Sequence, residues 1–383
     1  MNTRKWLQVG LTLLCSLGAV SVEAAPTLTV GSASGQAGAS VTLPVTFNPG
    51  TSSVASLQFS LTLPPGLSTG AITPGAILTS AGKSVSSNLT GSTVTFIIFG
   101  FNQTPITSGS LLTTKLTISL GTAVGNLSLP VSGVFYSDPN GAVIAAGAST
   151  GGTVSVLPPV PTITSAGTAT GQAGTAFSYQ ITASNSPTSF NATGLPAGLS
   201  VSTTTGLISG TPTAAATSNV TLSASNAGGT GTRTLTLTIN PPAPAITSAG
   251  TATGQVGTAF SYQIAASNSP TRFNATGLPA GLSVSTTTGL ISGTPTAAAT
   301  SNVALSASNA GGTGTRTLAL TVYSACDLNQ DGASNVVDVQ LQVNQALGVT
   351  ACTSDLNSDG ACNVIDIQRD VNASLGLLCV VGP

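Results

Sequence analysis

Residues 162–239 and 245–322 are two copies of one stretch set 83 residues apart, and only seven of the 78 aligned positions differ, among them Thr182/Ala265, Ser189/Arg272 and Thr221/Ala304. Such a repeat constrains the fold more than composition does, because each copy must close as the same kind of unit. The periodicity inside a copy says which kind. Phe177-Ser178-Tyr179-Gln180-Ile181 and Thr234-Leu235-Thr236-Leu237-Thr238-Ile239 alternate apolar and polar side chains, the period of a half-buried strand. Gly206 and Gly210 permit tight turns, and Pro212 ends a strand. Pro158-Pro159-Val160-Pro161 and Pro241-Pro242-Ala243-Pro244 precede the copies as short, stiff linkers. Each copy reads as a small β-sandwich without acidic residues, with Arg233, Arg272 and Arg316 on solvated faces.

Residues 26–157 alternate in the same way with a different sequence. Leu57, Phe59, Leu61 and Leu63 alternate with Gln58, Ser60 and Thr62, as do Val94, Phe96, Ile98 and Leu116, Ile118, Leu120 with their neighbours. Pro64-Pro65-Gly66, Thr90-Gly91-Ser92 and Asp138-Pro139-Asn140-Gly141 fall between such runs as turns. Short strands and regular turns predict an antiparallel sandwich. Asp138 reads as the turn residue before Pro139. Tyr136 and the 97–101 run read as core and strand ends rather than a ligand platform.

The chain carries 8 Lys+Arg and 9 Asp+Glu, net −1, and no histidine. It lacks the basic footprint that nucleic-acid binding needs. Arg4 and Lys5, a charge-free apolar stretch from Val9 to Val20, and Val22-Glu23-Ala24-Ala25 make residues 1–25 a secretory signal peptide, cut after Ala24. The stretch is short for a bilayer span of roughly 20 residues, and no later segment is suited to one. The protein is therefore expected outside the cell or on its surface. Glu23 and Trp6 leave with the signal. Between residues 26 and 323 only Asp138 is acidic, and Lys83 and Lys115 are the only conceivable bases. Acid–base catalysis calls for histidine or paired carboxylates, so the chain reads as a non-enzyme.

The chemistry concentrates in residues 324–383. Asp327, Asn329, Asp331, Ala333, Asn335 and Asp338 stand at positions 1, 3, 5, 7, 9 and 12 of a loop with Gly332 at position 6. Asp355, Asn357, Asp359, Ala361, Asn363 and Asp366 repeat it 28 residues on, around Gly360. Alternating oxygen ligands converge on one point, the glycine allows the reversal, position 7 offers its carbonyl and position 12 closes the shell. This is the logic of an EF-hand calcium loop, and it predicts two Ca²⁺ ions. Seven Asp against Arg369 leave the tail at −6, a repulsion that divalent cations relieve. Val336, Val339, Val343, Ala346 and Leu347, then Val364, Ile367, Val371 and Leu375, recur near helical spacing, so a short helix follows each loop. No helix precedes the first.

Cys326, Cys352, Cys362 and Cys379 remain after export, and an oxidising compartment predicts disulfides. Three connectivities are open. With no CxxC pair and no His, a zinc site is not expected. A unit of about 60 residues needs such staples.

Three resemblances follow from these motifs. "GQAGASVTLPVTF" with "VASLQFSLTLPPGL", and the closing "LLTTKLTISL" through "GGTVSV", resemble cohesin domains, which implies a jelly-roll-like sandwich that binds dockerins. "GLPAGLSVSTTTGLISGTPT" at 194–213 and 277–296 resembles bacterial Ig-like domains, which implies an Ig-like or cadherin-like spacer. The duplicated loop-then-helix tail resembles a type I dockerin, which implies calcium-dependent folding and docking onto a cohesin. Cellulosomal dockerins often carry Ser-Thr at loop positions 10 and 11, where this chain has Val336-Val337 and Val364-Ile365. Those residues are either an apolar partner surface or core. The working disulfide assignment joins Cys326 to Cys379 across the ends of the module and Cys352 to Cys362 beside the second loop.

The expected architecture is mostly β, tandem sandwiches followed by a small α calcium module. Its parts are a signal peptide at 1–25, a cohesin-like domain at 26–157, Ig-like repeats at 158–241 and 242–323, and the dockerin-like module at 324–383. The expected role is non-catalytic assembly or adhesion. The tail docks on a cohesin-type domain of its own or another chain, and the head receives a dockerin. The alternative is a carbohydrate-binding accessory whose partner is a polysaccharide.

Overall fold

The computed structural model describes residues 24–382, so the expected signal segment lies outside them except for its last two residues. The chain divides into two compact units. The first runs to Thr162 and includes Ser184–Thr188 and Ser225–Gly231, and the second holds the remainder.

In the first unit the strands are β1 (Thr27–Val30), β2 (Ser32–Gln36), β3 (Ser40–Asn48), β4 (Ser56–Thr62), β5 (Leu67–Pro74), β6 (Ser84–Thr90), β7 (Thr93–Phe99), β8 (Gly109–Ile118), β9 (Gly125–Leu129), β10 (Val131–Ser137), β11 (Val143–Ile144) and β12 (Gly152–Leu157). A single short helix turn, α1 (Ala76–Ser80), interrupts them. The strands form sheets in the orders β1-β3-β8-β5, β11-β10-β4-β7-β6 and β2-β12-β9. The alternation read from the sequence sets their inner faces: Leu43, Val45 and Phe47 of β3 and Leu57, Phe59 and Leu61 of β4 are buried in one cluster with Phe96, Ile98 and Tyr136. Phe59 and Phe96 face each other across the β4–β7 pair with ring centroids 4.8 Å apart. Leu120 departs from its expected place: β8 ends at Ile118, and Leu120 is exposed in the following turn. Asp138 is the turn residue expected, its Oδ1 accepting from the N–H groups of Asn140 and Ala142 at 2.8 and 2.7 Å.

Each Ig-like copy folds as two sheets. In the first copy the strand Thr168–Gln172 runs parallel to the end of Gly229–Asn240, which pairs through Ala216–Asn226 to Ser189–Thr193. The second sheet joins Phe177–Gln180, Leu207–Gly210 and Leu199–Val201. The second copy repeats both orders. Gly210 is required by more than its positive φ of 135°, since a Cβ there would collide with the Gly198 carbonyl. Proline is only part of the linkers' stiffness. Asn226 Nδ2 donates to the carbonyls of Pro159 and Asn185, both at 2.8 Å. In the second copy Asn309 Nδ2 holds Pro242 and Asn268 the same way, again at 2.8 Å. Arg233 and Arg316 are exposed but not merely solvated, because Nη1 of each donates to a backbone carbonyl, of Ser165 and Ser248.

The tail holds two helices, α2 (Val336–Ala346) and α3 (Val364–Ser374). Disulfides join Cys326 to Cys379 and Cys352 to Cys362. The apolar core is small: Ala325, Cys326, Leu356 and Ala373. The apolar helix stripes read from the sequence do not form this core. Val336, Leu347, Val364 and Leu375 are exposed, while the fully buried helix side chains include Asp338, Gln342, Asp366 and Asp370. The loops demand this orientation, because position 12 of each loop must turn inward and carries the helix round with it.

Candidate functional site

Two surfaces carry unexplained chemistry. The first is the outer face of the β11-β10-β4-β7-β6 sheet. Phe135, Gln58 and Ile97 lie in register across β10, β4 and β7. One step along, Ser137 pairs with both Ser56 and Val143, and Phe99 pairs with Ser84. Ile97, Phe99, Phe135 and Val143 are all exposed and line one shallow groove with Ser56, Gln58 and Ser137. A register shift between Ser132 and Phe135, with Gly133 at φ 58°, is a β-bulge beside the groove, the usual device for re-aiming a side chain. The rest of this outer face is hydroxyl-rich; Ser60 and Thr95, for instance, hydrogen-bond each other at 2.8 Å. The alternation rule placed Tyr136 in the core correctly. It also gives the outward placement of Ile97 and Phe99, which treating 97–101 as one block hides.

The second surface is the pair of acidic loops. Their local structures match position by position. Asp327 accepts from the N–H of Asp331 through Oδ1 and of Gly332 through Oδ2, at 3.1 and 2.9 Å. Asp355 accepts from Asp359 and Gly360 at 3.2 and 2.7 Å. Asn329 Nδ2 donates to Asp331 Oδ2, as Asn357 does to Asp359. Asp331 and Asp359 accept from the position-7 amides of Ala333 and Ala361. Asn335 and Asn363 serve as helix N-caps, and the Asp at position 12 completes each capping box, a device worth about 1 kcal/mol per cap. Asp338 Oδ1 also accepts from Leu328 and Asn329, and Asp366 Oδ1 from Leu356 and Asn357. The reversal involves position 4 as well as the glycine at 6. Gln330 and Ser358 sit at φ 60° and 61°, a left-handed pair that sequence reasoning missed because neither is Gly or Asn. Hydrogen bonds from the side chains of Asn357 and Asn363, then from the Ala361 amide, hold the Asp359 carboxyl below its ordinary range.

All the predicted ligands therefore fall on two equivalent loops. Their donors are hard oxygens, the set calcium prefers, so the residue types fit the ion; Asp338 and Asp366 are buried, with backbone N–H groups as their partners. Among the described residues no three His, Cys, Asp or Glu side chains gather as a ready-made cage; a shell in either loop would have to take in Asn and a backbone carbonyl. The second position of each exposed pair settles the question left open for loop positions 10 and 11. Val336 and Val337 are 76% and 50% exposed, and Val364 and Ile365 are 73% and 49% exposed, so these residues are surface.

The geometry defines tandem sandwich modules, the first with an exposed apolar groove on one sheet. Residues 26–156 match the cohesin domain family, and residues 160–240 and 243–323 each match the "Putative Ig domain" family. The chain thus carries a cohesin domain and two Ig-like repeats, which are structural, non-catalytic modules. Cohesin domains bind dockerins in modular assemblies. Among solved structures, a non-cellulosomal cohesin from the archaeon Archaeoglobus fulgidus is 21% identical over 35% of this chain and 92% of its own, with a TM-score of 0.31. The cohesin CaCohA2 from Clostridium acetobutylicum is 21% identical over 34% of this chain and 90% of its own, TM-score 0.30. A cohesin–dockerin complex from Clostridium thermocellum matches at 16% over 34% of this chain and 93% of that one, TM-score 0.30. No curated protein matches the chain.

Proposed function

We propose that this is a secreted, non-catalytic assembly protein with a docking surface at each end. The observation that carries the reading is the pair of exposed apolar dipeptides, Val336-Val337 and Val364-Ile365, presented identically by two calcium-type loops in a chain that also holds a cohesin domain. Residues 324–383 act as the dockerin-like module. Asp327, Asn329, Asp331, Asn335 and Asp338, with the Ala333 carbonyl, hold one Ca²⁺. Their counterparts Asp355, Asn357, Asp359, Asn363 and Asp366, with the Ala361 carbonyl, hold the other. Bound there, the ion would neutralise the carboxylates, and the loop residues would then fix the angle at which each helix start offers its apolar pair. The Ig-like repeats are spacers. The head receives a dockerin-type partner on the Ile97–Phe99–Phe135 face, and that partner is another protein or the tail of a second copy.

The test is sedimentation of the exported chain over a range of concentrations, in calcium and in chelator. Calcium-dependent growth into chains, abolished by Val337→Asp with Ile365→Asp, supports pairing between copies. A chain that takes up two calcium ions yet stays monomeric, and is captured through its tail by a separate cohesin domain, supports docking to another protein. Uptake of no calcium overturns the tail's role. Retention on insoluble polysaccharide, unaffected by those substitutions, would favour the glycan reading instead.

A further inference from the structure

The two acidic loops are alike, but what stands behind them is not. Asp370, on α3, is fully buried, and neither of its carboxylate oxygens has a hydrogen-bond partner. Arg369 beside it is turned elsewhere, with Nη1 donating to the carbonyls of Leu356, Val380 and Gly382. The charge Asp370 does feel is that of Asp338, the closing residue of the first loop. Burial first, and Asp338 second, push its carboxyl up to about 7. A buried carboxylate with neither donor nor counter-ion is costly unless a cation stands nearby.

Its twin 28 residues earlier is Gln342, on α2. Gln342 is also fully buried with Oε1 unpartnered, and its Nε2 donates at 2.9 Å to the carbonyl of Ser354, the residue before the second loop. Gln342 thus reaches the start of the second loop, and by the 28-residue repeat Asp370 holds the equivalent place behind the first, where Asp338 is the charge it feels. The first loop receives a carboxylate and the second a neutral amide.

Resting on the calcium reading above, we propose that Asp370 is a positioning residue for the first loop, adding negative charge beside its ion and making the two calcium sites unequal, the first tighter than the second. The orphaned oxygens of Asp370 are then compensated across the helix pair, and the fold of the second half depends on the ion in the first.

The test is calcium titration of the full exported chain, followed through the amide resonances of Gly332 and Gly360, one per loop. The wild type is expected to fill the loop of Gly332 first. Asp370→Asn should move the Gly332 midpoint to roughly 10-fold higher calcium or more, the effect typical of residues that orient or charge a metal shell from behind, and leave the Gly360 midpoint in place. Gln342→Glu should tighten the Gly360 site alone. In chelator above pH 7, where the buried carboxyl is ionised, Asp370→Asn should also raise the melting temperature of the tail, because it removes an uncompensated buried charge. Two loops that fill together, or midpoints that both move or both stay in the variants, overturn the role of Asp370 while leaving calcium binding intact. A wild type that takes up no calcium overturns the calcium reading itself.

Discussion

The second Ig-like repeat buries Phe260, Ile264, Leu305, Leu318, Leu320 and others in one cluster, whereas the tail, somewhat shorter, offers Ala325, Cys326, Leu356 and Ala373. A buried Leu, Ile or Phe contributes about 1.5–3 kcal/mol, so a repeat holds itself by apolar burial alone. It has no acidic residue and needs none. The tail places four polar side chains where a repeat places leucines, and closes itself with two disulfides and a carboxylate network. One chain thus contains a module held by apolar burial and another held by two disulfides and a network of buried polar side chains.

The largest effect that would break this contrast is reduction of the disulfides. Cys326–Cys379 spans 53 residues and Cys352–Cys362 spans 10, and in the chain-entropy picture such closures contribute about 4 and about 3 kcal/mol. Reductant with chelator should melt the tail and open it to protease, while the calorimetric transitions of the sandwiches stay in place. A tail that survives both reagents would mean that its small core suffices.

Next in size is the apolar core of the repeats. Leu237 and Leu320 occupy the same place in the two copies and both are fully buried. Leu237→Ala and Leu320→Ala should each cost about 3 kcal/mol and shift the melting of their own repeats equally. Unequal losses would show that the few differing positions, such as Ile239/Val322, reach further than their conservative chemistry suggests.

Smaller, and confined to the tail, is the loss of a loop-closing carboxylate. Asp366 satisfies the amides of Leu356, Asn357 and Asn363, so Asp366→Ala should cost about 2 kcal/mol in chelator and lower calcium uptake from two ions to one. Proton linkage gives a second handle on the same module. The Asp370 carboxyl titrates at about 7 in the fold against an ordinary 3.8, so the native state holds the proton over a range where the unfolded chain has lost it. The sign follows: in chelator the contribution of Asp370 is full below about pH 4 and is lost as pH rises from about 4 through about 7. Asp370→Asn should flatten that slope in a series of melts.

The sandwiches were legible because strand alternation has one meaning when one face is buried. Leu57, Phe59 and Leu61 declared both their strand and their side of it. Leu120 misled because alternation continues past the last ladder pair into a turn, where no partner strand enforces it. In the tail, pattern alone left Val336 and Val364 open between surface and core, and their exposure places them on the surface. Loop closure fixes the helix rotation there, and it turns Asp338 and Asp366 inward and the valines out. The equivalence of the two loops was readable from spacing, since the 28-residue repeat carries each polar position with it. The left-handed turn at Gln330 and Ser358 was not, because neither residue type announces it. Nor was the Asp370–Gln342 asymmetry, which appears only when the two helices face each other.

The smallest expected effect on stability sharpens the comparison most. Phe135, Ile97, Val337 and Ile365 are exposed apolar residues whose removal opens no cavity, and surface changes of this kind usually stay within about 0.5 kcal/mol. Phe135→Ser and Val337→Ser should therefore leave every melting transition where it was. If both surfaces are docking faces, the same substitutions should weaken association, since apolar anchors at the centre of an interface carry much of its energy. Each face can be tested separately. A Phe135→Ser chain should lose the partner of the head and keep that of the tail, and Val337→Ser the reverse. If the two variants lose the same partner to the same degree, head and tail contribute to one continuous joint between copies. If a substitution lowers a melting temperature by several degrees, that side chain belongs to the packing of its module, and the docking assignment for that face is withdrawn.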